Sequence, residues 1–261
     1  MLYPTMPALF LGHGSPMNAL EENHYTAAWE KLGRELPRPR AIIAVSAHWY
    51  TRGTAVTAMS MPRTIHDFGG FPQALHDVRY PAPGSPELAQ QIAELLAPIA
   101  VRADHEWGLD HGSWGVLVKM YPQADIPVVQ LSVDATQPPQ WHFELGQKLA
   151  ALRDQGVMIV ASGNVVHNLR MLRWDGKGDV FPWANEFDHY VRDNLNWSGP
   201  VEQHPLVNYL DHPGAKLSNP TPEHYLPLLY ILGTRQPGEN ISIPVDGIEM
   251  GAISMLSVQV G

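Results

Sequence analysis

Cysteine is absent from the 261 residues of this chain. Its absence excludes disulfide bridges, a thiolate nucleophile, and zinc or iron–sulfur sites with cysteine ligands. Any metal ion bound to this protein must therefore be held by histidine and carboxylate side chains.

Long apolar runs and positive charge are also scarce. No run is long enough to cross a bilayer, and the N-terminal stretch MLYPTMPALFLGHG lacks the basic region and cleavage site of a signal peptide. We therefore expect a cytoplasmic protein that has no membrane partner. The formal net charge of −9 disfavours binding to nucleic acid.

Several common catalytic and phosphate-binding motifs are missing as well. No G-x-G-x-x-G follows a predicted strand, and residues 12–15 lack the spacing and the lysine of a P-loop. The chain also has no G-x-S-x-G nucleophile elbow and no H-E-x-x-H. These absences disfavour dinucleotide enzymes, P-loop proteins, serine hydrolases and zincin proteases.

What the chain does contain is an alternation of short apolar runs with segments of helical periodicity. The predicted strands are 7–11, 41–47, 54–59, 126–133, 157–161, 241–245 and 253–260. The predicted helices are 25–36, 86–97, 141–155, 165–172, 183–195 and 222–232. This order predicts an α/β fold: a single catalytic domain over residues 1–261, with a central, mostly parallel or mixed sheet flanked by helices.

Two long loops, 61–86 and 203–222, interrupt the alternation. Loops of this length inside a compact domain are commonly functional. The first contains HDFGGFP, with His66, Phe68 and Phe71. These side chains either form an aromatic wall over a pocket or pack as an ordinary surface loop.

Histidine is abundant, with 13 residues in the chain. Five of them lie beside strand ends or turn residues: His13, His48, His111, His167 and His224. In an open α/β sheet, residues just past the carboxyl ends of the strands converge in one crevice. One such histidine is usually a surface or capping residue, but five in the same context predict a metal site with acid/base residues beside it.

Six short motifs carry a resemblance to a known family. In chain order they are GHGSPMNAL, SAHW, TIHDFGGFP, DHGSWG, ASGNVVHNL and NPTPEHYLPLL. Together they resemble the class III extradiol ring-cleaving dioxygenases over essentially the whole chain, and most closely the branch of 4,5-DOPA extradiol dioxygenases. The resemblance implies a metal-dependent enzyme that binds a catechol and O2 side by side and opens the ring to a semialdehyde.

The resemblance also implies a ligand set. His13 and His48 match the two early ligands, and His224 takes the place of the late one, which makes an all-histidine site. Glu223 or Glu249 is the alternative that would restore the more usual carboxylate. Fe(II) is the divalent ion expected for dioxygenase activity, and Zn(II) suits the same ligands as the ion found bound.

Acid/base roles fall to His111 and His167 by the same resemblance. A catechol must lose a proton to chelate a metal ion, and a later step needs a proton so that the O–O bond can break. Histidine titrates in the required range. His167 is either a fourth ligand or the base, and the alternative for His111 is a loop residue bonded to Asp110 or Ser113.

Other residues of these motifs have supporting interpretations. Ser162 and Asn164 are expected to orient the His167 segment or to bind substrate oxygens. Three aromatic side chains either stack on the substrate ring or pack in the core: Trp49, Trp114 and Tyr225.

Two other functions remain as alternatives at this point. One is a non-enzymatic scaffold of the same fold that holds a metal ion or a peptide, and the other is a zinc-dependent hydrolase. The catechol substrate, the position of ring cleavage and the oligomeric state are left open by the sequence.

Overall fold

A computed structural model describes residues 4–176 and 178–261. Residues 1–3 and 177 belong to the predicted 1–261 domain but lie outside the described residues. The described chain forms an eight-stranded sheet and a separate pair of short strands. The strands are β1 (Ala8–Gly12), β2 (Ala41–Thr51), β3 (Thr54–Thr57), β4 (Val101–Asp104), β5 (Val128–Asp134), β6 (Val157–Gly163), β7 (Ile241–Ser242), β8 (Ile248–Glu249), β9 (Ile253–Ser254) and β10 (Val258–Val260).

The sheet is mixed, with a parallel centre. Its order is β4-β3-β5-β2-β6-β1-β10-β7, and β8 pairs with β9 outside it. Strands β5, β2, β6 and β1 run parallel, whereas β3 is antiparallel to β5, and β10 is antiparallel to both β1 and β7. Pairing of β6 extends to Gly12 of β1 and to Ser46 of β2. The carboxyl ends of three central strands therefore meet at one edge.

Helices cover both faces of the sheet. They are α1 (His24–Glu35), α2 (Gln73–His76), α3 (Pro86–Leu95), α4 (His111–Met120), α5 (Pro139–Arg153), α6 (Pro182–Asn194), α7 (Ala215–Ser218) and α8 (Leu226–Gly233). Because strand side chains alternate in direction, β1 contributes Ala8 and Phe10 to one core and Leu9 and Leu11 to the other. The first core packs against α3, α5, α6 and α8, and the second against α1 and α4.

The predicted α/β class with a parallel-centred sheet is confirmed, and most element positions agree to within a few residues. Strands 7–11, 41–47, 54–59, 126–133 and 157–161 correspond to β1, β2, β3, β5 and β6. Helices 25–36, 86–97, 141–155 and 183–195 correspond to α1, α3, α5 and α6. Helices α1 and α3 also begin at side-chain caps: the Asn23 side chain accepts from the Thr26 amide, and the Ser85 side chain accepts from the Leu88 amide.

The predicted helix over 165–172 is wrong. Only Leu169–Met171 is helical there, as a short 3₁₀ turn. The backbone groups of this segment take distant partners instead: the His167 amide donates to the Ser218 carbonyl at 2.8 Å, and the Asn168 amide donates to the Ala252 carbonyl at 3.3 Å. Long-range hydrogen bonds thus replace the helical ones and hold the segment extended along the site.

Three other boundaries differ from the prediction. The helix predicted from 222 begins at Leu226, the strand predicted over 241–245 ends at Ser242 in β7, and the strand predicted over 253–260 is split into β9 and β10. Helix α4 was not predicted, because Gly112, Ser113 and Gly115 lower its helix propensity and its buried residues show no amphipathic stripe. Asp110 nevertheless caps it, accepting a hydrogen bond from the Ser113 amide.

Within residues 4–176 and 178–261, no helix combines the length and the apolar character that a membrane span requires.

Candidate metal and catalytic centre

Three histidines reach the carboxyl edge of the sheet from different elements. His13 directly follows β1, and His224 lies two residues before α8. His48 lies inside β2 rather than after it, because this strand runs on to Thr51. The register of β2 against β5 shifts between Val45 and Tyr50. An irregularity of this kind re-aims side chains, and it turns His48 toward the other two imidazoles.

The imidazoles of His13, His48 and His224 offer nitrogens that all lie within 4.8 Å of one another. Nε2 of His13 and Nε2 of His48 are 3.2 Å apart. Two imidazole nitrogens on one tetrahedral ion, each at about 2.0–2.1 Å, lie roughly 3.4 Å apart. The spacing of the His13–His48 pair therefore fits two ligands of one ion, and the His224 nitrogen lies within 4.8 Å of both.

In two of the three rings the second nitrogen, Nδ1, faces a polar group on the side away from the cluster. Nδ1 of His13 lies 2.7 Å from the Ser162 hydroxyl, and Nδ1 of His48 lies 3.3 Å from Oδ2 of Asp67. Histidines that bind a metal ion almost always donate their second ring N–H to such an acceptor, which sets the tautomer. Both rings thus have Nε2 free on the inner side.

His224 follows the same pattern. Its Nδ1 lies 3.4 Å from Oε1 of Glu223, while its Nε2 is buried without a hydrogen-bond partner. A buried nitrogen with no partner needs an explanation, and a metal ion shared with the neighbouring imidazoles supplies one. Glu223, the sequence alternative for a carboxylate ligand, therefore lies behind His224, and Glu249 lines a neighbouring groove.

Burial keeps these histidines neutral. Desolvation, with the charges of neighbouring histidines as a smaller cause, lowers the pKa of His13 and His224 well below the ordinary value and that of His48 to about 3. A neutral imidazole is the form that binds a metal ion. The three nitrogens are therefore ready for metal at neutral pH without first losing protons.

The stability of the metal-free protein should fall as the pH drops from 7 to 5. The pKa of His167, His142 and His204 is lowered to about 4, mainly by burial, against an unfolded value near 6.5. Between these values the unfolded chain binds more protons, so stability present above pH 6.5 is lost on acidification, by about 1–2 kcal/mol per histidine. Guanidinium unfolding at pH 7, 6 and 5 measures this. His167→Gln should flatten the profile, and exposed His105→Gln should not. Equal stability at pH 7 and 5 would contradict the prediction.

Asp67 is a candidate site residue that sequence reasoning missed. Its Oδ1 accepts from the His111 Nδ1 at 2.9 Å and from the His111 amide at 3.0 Å, while Oδ2 faces His48. Burial raises the Asp67 pKa, but the bonds to His111 and the charges of both histidines outweigh it and bring the pKa to about 2. The only sequence signal was an acidic residue next to His66 in TIHDFGGFP.

His111 is the first residue of α4 rather than a loop residue, and its ring bonds to Asp67 instead of Asp110 or Ser113. Because Nδ1 takes the carboxylate, Nε2 is the ring nitrogen left for other contacts. The His111 ring centroid lies 3.9 Å from that of His48. His111 therefore stands beside the three-histidine cluster, in a fixed tautomer.

His167 stacks on His224. The two ring centroids are 3.5 Å apart and the planes differ by 5°. Burial, with the charge of His111 as a smaller cause, lowers the His167 pKa to about 4. Among the described residues two compact groups of possible ligand atoms occur, His13–His48–His224 and His48–Asp67–His111, and His167 belongs to neither.

All five predicted histidines line one cavity of about 250 Å³. Phe71 from the 61–86 loop contributes to its wall, whereas Phe68 packs behind, 5.4 Å from the His111 ring. The other lining residues are Gly14, Ser15, Pro16, Leu169, Leu172, Trp174, Met250 and Ile253. A cavity with an apolar wall and a few converging polar nitrogens is typical of a small-molecule site.

The three aromatic residues considered for ring stacking belong to the core. Trp49 stacks on Trp107 with centroids 5.8 Å apart, and Tyr225 stacks on Tyr209 at 4.0 Å. Trp114 is fully buried and donates to a backbone carbonyl. None of the three lines the cavity within the part of the chain that the structure describes.

Comparison with known proteins identifies the family. The family model described as the catalytic LigB subunit of aromatic ring-opening dioxygenase matches residues 6–243. The chain belongs to this LigB family. This dioxygenase is an enzyme, not the binding scaffold or zinc hydrolase that the sequence left as alternatives, and the extradiol resemblance is confirmed. Its His-rich centre agrees with the metal dependence of the LigB dioxygenases.

Individual relatives cover nearly the whole dioxygenase. It is 71% identical to a 4,5-DOPA dioxygenase extradiol of Escherichia coli (strain K12), over 98% of this chain and 95% of that protein. It is 41% identical to a protein of the same name from Beta vulgaris, over 88% and 87% of the two chains. The crystal structure of an uncharacterized Escherichia coli K12 protein matches with a TM-score of 0.89 and 66% identity, covering 98% of this chain and 100% of that one.

Asp67→Asn should weaken both metal binding and turnover of this LigB dioxygenase. An asparagine has one acceptor oxygen and cannot accept from the His48 and His111 rings and the His111 amide as the carboxylate does. Loss of such an outer partner typically costs about 10–100-fold in metal affinity or activity. Metal titration and oxygen uptake measure the two effects. Asp77→Asn, on the exposed part of the same loop, is the matched control, and an unchanged Asp67→Asn enzyme would contradict the prediction.

Proposed function

We propose that residues 1–261 form a single catalytic domain that binds one divalent metal ion through Nε2 of His13, His48 and His224. With that ion the enzyme cleaves a para-substituted catechol, of which DOPA is the first candidate, by inserting both atoms of O2 and opening the ring to a semialdehyde. The relatives named 4,5-DOPA dioxygenase support DOPA as the substrate.

One observation carries the proposal: the buried rings of His13 and His224 and the half-buried ring of His48 present Nε2 inward, while each Nδ1 faces an acceptor on the opposite side. Such an arrangement leaves the buried Nε2 of His224 without a partner unless an ion is bound. An ordinary packed core would not hold three neutral imidazoles edge to edge in this way. The donor set therefore fits a metal ion.

Fe(II) is the proposed working metal, because the proposed reaction uses O2. Neutral imidazole ligands suit Fe(II) and Zn(II) alike, so Zn(II) is the proposed ion in protein purified without iron. A bound ion would acidify the catechol hydroxyl and hold the catechol close to O2. The carboxylates nearest the site, Asp67 and Glu223, support the histidines from behind.

His111 and His167 are the proposed acid/base pair. Their rings line the same cavity as the three proposed ligands, within reach of a bound catechol. His167 is the proposed acceptor of the proton that leaves the catechol hydroxyl. Asp67 fixes the Nδ1 of His111. The Nε2 of His111 is then the atom that holds a proton or returns it to an oxygen of the catechol.

The apolar walls of the cavity are the proposed contact surface for the catechol ring. Phe71, Leu172 and Ile253 give the ring of the catechol an apolar surface and exclude water from the polar end. A dry pocket strengthens the hydrogen bonds that the histidines make with the catechol oxygens. The orientation of the catechol then follows, because its hydroxyl groups face the histidines and its apolar ring carbons face the wall.

Oxygen uptake tests the function directly. Protein loaded with Fe(II) under anaerobic conditions should consume one O2 per DOPA added and develop the absorbance of a ring-opened semialdehyde. Protein loaded with Zn(II) is the matched control and should consume none. Characterisation of the product by NMR decides between 4,5 and 2,3 cleavage. Absence of O2 uptake with DOPA, 4-methylcatechol and caffeate alike would overturn the proposal.

A further inference from the structure

A second concavity adjoins the histidine cavity. It is a groove of about 480 Å³, and it shares Ser15 and Met250 with the lining of the cavity. Ser15 lies two residues after His13, and Met250 directly follows β8. A ring held at the histidines therefore has the groove beside it, in a position to receive a substituent that the cavity does not enclose.

Arg173 contributes an unpaired cation to the groove. Its Cζ lies 4.4 Å from the centroid of the Phe181 ring, and its Nε is buried without a hydrogen-bond partner. Its amide donates to the Met250 carbonyl at 2.9 Å, which ties it to the turn shared by groove and cavity. In residues 4–176 and 178–261 the guanidinium forms no ion pair. The planar fork of arginine matches a carboxylate.

Glu249 brings the opposite charge to the same groove, together with the more exposed Glu21. Burial, and after it the charge of Glu21, raises the pKa of the Glu249 carboxyl. Among the described residues Glu249 has no cationic partner at ion-pair distance. Arg173 and Glu249 thus line one groove without pairing with each other, which leaves both charges to an incoming molecule.

We propose that this groove binds the amino-acid end of the substrate, with Arg173 holding its carboxylate and Glu249 holding its ammonium group. The inference rests on the proposed ring-cleaving function and narrows its substrate class to catechols that carry a zwitterionic side chain. A neutral catechol has nothing to place against the two charges. The arginine and the glutamate therefore determine specificity without touching the reacting oxygens.

Four catechols separate the two contacts. DOPA carries both charges, 3-(3,4-dihydroxyphenyl)propionate only the carboxylate, dopamine only the ammonium, and 4-methylcatechol neither. Arg173→Met should lower kcat/KM about 10–100-fold for DOPA and the propionate, mainly through KM, and leave dopamine unaffected. Glu249→Gln should lower it by a similar factor for DOPA and dopamine and leave the propionate unaffected. Both variants should cleave 4-methylcatechol at the parent rate, which also shows that they fold.

Arg170→Met and Glu22→Gln are the matched charge controls, because they alter exposed residues outside the groove. They should leave kcat/KM unchanged for all four catechols. Equal losses on all four catechols, or no loss on DOPA, would overturn the groove assignment while ring cleavage itself stands. If the parent enzyme cleaves none of the four, the ring-cleaving function fails first and the groove assignment with it.

Discussion

Replacing His48 by alanine is expected to lower metal affinity more than 100-fold and to abolish ring cleavage. Its Nε2 lies 3.2 Å from Nε2 of His13, in the compact group of proposed ligand nitrogens. Loss of an outer partner alone typically costs about 10–100-fold in metal affinity or activity, so loss of a ligand should exceed that range. Two remaining imidazoles also leave the ion more open to exchange with water.

Metal content per chain after dialysis against a weak chelator, together with oxygen uptake, measures the effect. His13→Ala should behave in the same way, and His105→Ala, which removes an exposed histidine, should keep full occupancy. Circular dichroism checks that each variant keeps its fold. Full metal occupancy in both His13→Ala and His48→Ala would show that the three rings do not form the metal site.

His111→Ala and His167→Ala are expected to retain the metal ion and to lose turnover by about 10²–10⁴-fold, the usual contribution of a general acid or base. Both rings line the cavity, but neither belongs to the compact triad of His13, His48 and His224. The loss should lie mainly in kcat, because proton transfer is a feature of the reaction and not of catechol binding.

Rescue by added imidazole distinguishes an acid/base role of His111 and His167 from a purely structural one. Added imidazole should partly restore turnover to the two alanine variants, since a small base can enter the space left by the missing ring. Metal content is measured beside it, because His167→Ala would lose metal if His167 were a fourth ligand. Turnover at the parent rate in both variants would show that neither His111 nor His167 acts as an acid or base.

The physical basis of each correct prediction lies in local chemistry. Apolar runs such as 41–47 and 157–161 could be predicted as strands, because a parallel strand buried on both faces needs continuous apolar residues. The run itself shows this feature, without information about the adjacent strands. His13 and His48 could be placed at the sheet edge because they follow the apolar runs 7–11 and 41–47, and strand ends at one edge of a sheet converge. The structure brings His111, His167 and His224 to the same cavity from positions outside the strands.

Where prediction failed, the deciding interactions were distant in sequence. Residues 165–172 have helical periodicity, yet their amides bond to Ser218 and Ala252. The opposite error occurred at α4, where burial on all sides and the Asp110 cap outweigh two glycines. Local propensity is a weak prior of less than about 1 kcal/mol per residue, so tertiary contacts override it in both directions.

The sequence alone determined the ligand chemistry: a chain without cysteine and with 13 histidines offers imidazole and carboxylate donors only. Tertiary structure alone decided which donors face inward. Asp67 lies 44 residues before His111 and supports both it and His48, and Glu223 stands behind His224 rather than in the triad. Contacts between residues distant in sequence select one ring nitrogen of His13, His48 and His111, whereas the acceptor beside His224 is its sequence neighbour. For the first three rings no local pattern encodes that selection, because it depends on how loops from separate strands pack at one edge of the sheet.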